Sequence, residues 1–108
     1  MLLRMWSSHF DVERLAEINE FAKKRSTPMF ESFIGCLGHL FAHQGDRYMA
    51  TSLWIGRHAI AIAEASQVYK ETADALAQTG LLRCGQTVDV YDIVALNMGF
   101  EDRKDQVD

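Results

Sequence analysis

Two neighbouring stretches of this chain are apolar on both of their alternating faces. Residues 33–42 (FIGCLGHLFA) put Phe33, Leu37 and Phe41 on one face and Ile34, Cys36 and Leu40 on the other. Residues 47–55 (RYMATSLWI) set Tyr48 and Trp54 against Met49, Leu53 and Ile55. Between them His43-Gln44-Gly45-Asp46 supplies a tight turn, with Gly45 free to take a positive φ. A sheet with helices on one face only alternates apolar and polar residues along its strands. Two-sided apolar strands therefore demand a cover on each face. Gly35 and Gly38 interrupt the first stretch and mark a bulge or a close approach by another group.

The flanking segments read as strand, helix, helix and strand. Residues 2–8 (LLRMWSS) are a short apolar run, a first strand. Asp11 is placed to cap a helix that carries Leu15, Ile18 and Ala22 on one face with Phe21 at its flank. That helix is expected to end near Arg25, because Pro28 disfavours helical geometry at Thr27. After Gly56, residues 58–65 (HAIAIAEA) alternate like a strand, but their four alanines favour helix. Ser66 is an internal cap or kink, residues 68–77 continue helically with Tyr69, Ala73 and Leu76 on one face, and Gly80 is the stop. Residues 87–95 (TVDVYDIVA) form a last, β-branched strand.

The order strand, helix, strand, strand, helix, strand, joined by right-handed crossovers, predicts a ferredoxin-like α+β fold: a βαββαβ antiparallel sheet with both helices on one face. No further helix remains for the second face, so a second copy is expected to pack there, sheet to sheet, as a twofold homodimer. The domain is expected to span 1–98, followed by a charged tail, 99–108.

Composition narrows the function classes. A chain of 108 residues that is 48% hydrophobic can build one core. A net charge of −4, with Lys23-Lys24-Arg25 as the only basic run, lacks the basic face that nucleic acid or an anionic membrane requires. No run reaches the roughly 18–20 apolar residues of a membrane span. Residues 1–6 are too short for a signal peptide and are broken by Arg4, so a cytoplasmic location is expected, with Cys36 and Cys84 as free thiols. Cys36, His39 and His43 have a suggestive spacing, but strand alternation sends 36 and 39 to opposite faces, so no metal site is expected without a bulge.

The set of elements resembles the antibiotic biosynthesis monooxygenase (ABM) domain family of the dimeric α/β-barrel superfamily. The residues that carry the likeness are the opening LLRMW, Phe33-Ile34-Gly35-Cys36, Ser52-Leu53-Trp54, His58-Ala59, Ser66-Gln67-Val68-Tyr69 and the closing TVDVYDI of 87–93. Together they cover nearly all of residues 1–95. The resemblance implies the ferredoxin-like fold and the dimeric barrel. For chemistry it offers cofactor-independent oxygenation of polyphenols, haem degradation, quinol oxidation or isomerisation, and fold alone does not choose. The haem-degrading members use an Asn on strand one and a Trp and a haem-ligating His on the second helix. Aligned through Trp54 and Tyr69, those helix positions fall on Ala63 and Ala73, and strand one offers Ser7 and Ser8. Haem degradation by that route is therefore not expected, and haem binding without turnover would need His9, His39 or His58 as axial ligand.

Cofactor-independent oxygenation needs an apolar pocket for an aromatic or quinone-like molecule and a few polar groups to hold it. The pocket candidates are Trp6, Ser8, Phe41, Tyr48, Ser52, Ile62 and Tyr69, with His39, His9 and Trp54 as catalytic candidates. A histidine titrates near neutrality and suits a general base. Each has a structural counterpart: Trp54 as core or dimer contact, His39 as a packed strand residue, His43 and His58 as solvated surface. No cofactor is expected. The alternative is a non-catalytic dimeric module of the same fold that binds a ligand or a partner.

Overall fold

The computed structural model describes residues 1–83 and 85–99. Cys84 and all of the expected tail but Gly99 lie outside the described residues. Four strands form one antiparallel sheet: β1 (Leu2–His9), β2 (Cys36–Gln44), β3 (Arg47–Trp54) and β4 (Thr87–Asp92), in the order β2-β3-β1-β4. Helices α1 (Leu15–Phe21), α2 (Thr27–Glu31), α3 (Arg57–Ala65) and α4 (Gln67–Gln78) join them. This is the ferredoxin-like α+β arrangement.

Local chemistry accounts for most boundaries. Asp11 accepts the Glu13 N–H at 3.2 Å and opens a short 3-10 turn, Val12–Arg14, ahead of α1. Ser66 ends α3 in extended geometry and accepts the Tyr69 N–H at 3.2 Å to start α4, so one hydroxyl separates the two helices. The β2–β3 turn holds Gly45 at φ 55°, and Gly80 ends the second helical stretch at φ 71°.

Two expectations need correction. The first helix does not stop near Arg25. It widens into a π-turn, Ala22–Ser26, in which the Thr27 N–H reaches back to the Ala22 carbonyl, and then continues as α2 with Pro28 in its first turn. Proline lacks an N–H and its ring crowds the carbonyl four residues earlier; one wide turn relieves both. Thr27 is helical after all (φ −59°, ψ −52°). The second correction concerns β2, which starts at Cys36 and not at Phe33. Residues 33–35 are a turn closed by the Phe33 N–H on the Phe30 carbonyl and the Cys36 N–H on that of Phe33. The register then slips between Cys36, opposite Trp54, and Gly38, opposite Leu53. The bulge brings Cys36 to the same face as His39 and Phe41, where strict alternation had set it apart. Helix α3 and strand β4 also differ in extent from expectation, beginning at Arg57 and ending at Asp92 respectively.

Register then sorts the faces. Leu2, Arg4, Trp6 and Ser8 on β1 pair with Trp54, Ser52, Ala50 and Tyr48 on β3, and all point toward the helices. Two buried clusters form there, one around Met29, Phe30, Trp54 and Ile60, the other around Phe10, Ile18, Tyr48 and Leu81; Trp6 and Phe41 touch both. The opposite face carries Leu3, Met5, Leu40, Met49 and Leu53 with no described helix over it.

Candidate functional site

Between the two clusters lies a cavity of about 100 Å³. Its floor is the helix-facing side of the sheet (Arg4, Trp6, Phe41, Tyr48), its walls are the π-turn and α2 on one side and α4 on the other, and its mouth lies by the exposed Ala73 and Gln86. Strand parity explains the floor: every second residue of β1 and β3 faces inward. The wide turn explains the wall, since it brings Ala22 and Ser26 into the lining. From α4 come Tyr69, Ala73 and Leu76, the face predicted from their spacing, and Thr72 beside them.

The lining is mostly apolar with a few placed polar groups. Tyr48 donates its hydroxyl to Asn19 Oδ1 at 3.2 Å, and burial pushes its pKa up. Beyond that pair, at the β2 edge, a second cleft of about 320 Å³ shares Ala22, Phe41 and Tyr48 with the first. Trp6 Nε1 donates to Gln86 Oε1 at 3.3 Å. Arg4, 3% exposed, supplies the one charged side chain among the described lining residues. Its Nε donates to Glu64 at 3.0 Å, and its Nη2 donates to the Tyr69 hydroxyl at 2.7 Å.

The structure brings together four of the seven predicted pocket residues: Trp6, Phe41, Tyr48 and Tyr69. The other three sit elsewhere. Ser8, 2% exposed, donates to the backbone carbonyl of His9. Ser52 is fully buried and accepts Trp54 Nε1–H at 2.8 Å. Ile62 is 58% exposed on α3, on the side away from the sheet. The three catalytic candidates also lie outside the lining. Trp54 is core, tilted against Phe33 with ring centroids 5.8 Å apart. His9 is half-exposed and meets Asp46 at 3.3 Å. His39 comes nearest: it stacks on the lining residue Phe30 at 5.2 Å, with Nε2 3.1 Å from Thr27 Oγ1, but packs behind that ring.

Sequence reasoning missed Arg4, Met29, Phe30, Thr72 and Gln86 as lining residues. Arg4 was within reach, because it stands in phase with Leu2, Trp6 and Ser8 on β1. Met29 and Phe30 depended on the continued helix, Gln86 on the path before β4, and Thr72 on how α4 is set against the sheet. Although the bulge removes the geometric objection to a Cys36–His39 pair, Cys36 Sγ engages the Gly38 carbonyl and burial raises its thiol pKa. Among the described residues no three His, Cys, Asp or Glu side chains come together to hold a metal ion. No described helix is long and apolar enough to cross a membrane. The two helix positions singled out in the haem comparison divide between core and cavity: Ala63 is buried on α3, and Ala73 stands at the mouth.

No family model and no curated protein matches the sequence. Solved structures do match. An antibiotic biosynthesis monooxygenase superposes with a TM-score of 0.71 over 88% of this chain and 100% of its own, at 15% identity. SnoaB, a cofactor-independent oxygenase from Streptomyces nogalater, gives 0.72 over 88% and 94%, at 16% identity. Rv0793 from Mycobacterium tuberculosis gives 0.70 over 88% and 96%, at 13% identity. The fold is that of the antibiotic biosynthesis monooxygenases. At these identities the likeness establishes the ABM fold, with the resemblance in the sequence supported at that level, and the chemistry has to come from the cavity itself.

Proposed function

We propose that this ABM-fold chain binds a small aromatic or quinone-like molecule in the cavity between its sheet and helices, and acts on it as a cofactor-independent monooxygenase. The observation that carries this reading is an aromatic-walled cavity with few, placed polar groups. Its volume of about 100 Å³ is below the roughly 150 Å³ of a cavity that holds benzene. A ligand of one ring therefore has to sit partly in the mouth near Ala73 and Gln86. In the reaction the phenol is converted to a quinone: one oxygen atom of O₂ enters the ring, the other leaves as water, and the substrate supplies the electrons. That SnoaB is a cofactor-independent oxygenase of the same fold supports the reaction class.

The proposed assembly is a homodimer joined through the helix-free sheet face. Leu3, Met5, Leu40, Met49 and Leu53 make that face apolar, and Thr51, between Met5 and Leu40 in the register, has a buried hydroxyl with no partner.

Oxygen uptake and quinone formation, measured with single-ring phenols and hydroquinones, test the reading. Ala73→Trp should fill the mouth and abolish both ligand binding and turnover while leaving the fold intact. Saturable binding without oxygen uptake would favour the non-catalytic ligand-binding module. Binding that survives the substitution would place the ligand elsewhere.

A further inference from the structure

The cleft at the β2 edge is larger than the cavity beside it, about 320 Å³ against about 100 Å³. It exceeds the roughly 150 Å³ of a cavity that holds benzene, so it takes one ring whole. From the sheet, Phe41, Tyr48 and His43 give it an aromatic lining. The Phe41 and Tyr48 rings lie 6.4 Å apart, and the His43 ring is held by the Gly45 carbonyl at 3.2 Å and edge-on to Phe10 at 6.0 Å. From the helical side come Asn19 on α1 and Lys23 on the π-turn, four residues apart and so neighbours along the helical surface. Both present donors. Asn19 Oδ1 is committed to the Tyr48 hydroxyl, while its Nδ2 has no partner among the described residues and is not sealed off by protein. Lys23 makes no ion pair among the described residues, and the nearby acids are already engaged, Glu20 with Lys24 and Asp46 with His9. The backbone adds to this side. β2 is an edge strand, and alternation from the Gln44–Arg47 pair flanking the two-residue turn leaves the Phe41 and His43 N–H groups without a strand partner.

We propose that the edge cleft is a second binding site, separate from the inner cavity, for a small aromatic carboxylate. The ring lies against Phe41, Tyr48 and His43, and the carboxylate meets the Lys23 ammonium and the Asn19 amide. An aromatic lining with donors on one side and no free acid selects an anion carried on a ring, and two neighbouring donor groups suit the two oxygens of a carboxylate. Lys23 is exposed, so water and salt screen its charge, and the aromatic contact supplies much of the affinity. The site stands apart from the reaction proposed above: it holds whether or not the inner cavity turns over a phenol.

Benzoate titrated into nitrogen-15-labelled protein, followed by the amide resonances, tests both the binding and its place. The expected result is saturable shifts at Lys23, Ala42 and His43, with an affinity that falls as salt is added. Benzamide, of the same shape and uncharged, should bind at least about threefold more weakly. Lys23→Met, which keeps the apolar stem, should bring benzoate down to the affinity of benzamide. Ala73→Trp, which fills the mouth of the inner cavity, should leave benzoate binding unchanged. Three results would overturn the site: no saturable shift with benzoate, equal affinity for benzamide, or binding that shifts Tyr69 and Thr72 and is lost in Ala73→Trp. The last would put the carboxylate in the inner cavity with Arg4. Oxygen uptake with phenols is read separately, so failure of the edge site leaves the proposed reaction standing.

Discussion

Tyr48 shows how one side chain can be read correctly in type and still owe its energetics to the fold. Strand alternation puts it inward with Trp54, and it does line the cavity. Burial raises its pKa, so the folded chain holds the phenolic proton more tightly than the unfolded chain does. The resulting stability is fully present below the unfolded pKa of about 10 and is lost as pH rises through the higher folded value. Wild type should therefore lose stability above about pH 10 more steeply than Tyr48→Phe does. Urea midpoints measured across that range check it, and parallel curves for the two proteins would refute it. Trp54 teaches the reverse lesson. Its place at the end of an apolar strand suited a catalyst or a core residue equally well, and only its contacts, indole N–H on Ser52 and ring on Phe33, assign it to the core. Arg4 was visible as a charge within an apolar run, but its partners Glu64 and Tyr69 are 60 and 65 residues away, beyond any local pattern.

At the scale of elements, glycine and proline wrote the departures from regularity. Gly38 marks the β2 bulge, and Gly35 marks a close approach: a Cβ there would collide with the Ala59 Cβ on α3 and stand 3.3 Å from Ile55 Cγ1. The Gly35 carbonyl also accepts the Ile55 N–H at 3.0 Å, which ties the entry of β2 to the exit of β3. Gly35→Ala should consequently destabilise the fold by about 1–3 kcal/mol, the usual cost of overpacking. Chemical denaturation with an unchanged m-value would report it. Adding Ala59→Gly should recover part of the loss, and no recovery would show that the collision is not the cause. Pro28 was legible as a disturbance but not in its consequence. A helix can end before a proline or widen around it, and burial of Met29 and Phe30 under the continued helix favours the second course here. That choice sets the cavity wall, so the expected helix end at Arg25 also concealed Ser26, Met29 and Phe30 as lining residues.

The whole molecule carries its apolar groups on two faces of one sheet, only one of which the described helices cover. A Leu40→Asp substitution separates the two roles. Leu40 is 54% exposed on the uncovered face, so the change should leave the folded chain intact and disrupt the proposed dimer. Sedimentation at micromolar concentration should find wild type at twice the chain mass and Leu40→Asp at once the chain mass; a monomeric wild type would remove the dimer altogether. The element order, the sheet topology that follows from it and the inward parity of Trp6, Phe41, Tyr48 and Tyr69 were determined by sequence alone, because alternation, caps and turn residues act over a few positions. Tertiary structure decided what those inward residues enclose. The cavity exists because a π-turn carries α2 past Pro28 and because α4 sets Tyr69 against Arg4, and both depend on packing between segments far apart in the chain. Local periodicity carries no record of such contacts, so the fold was legible in advance and the site only in part.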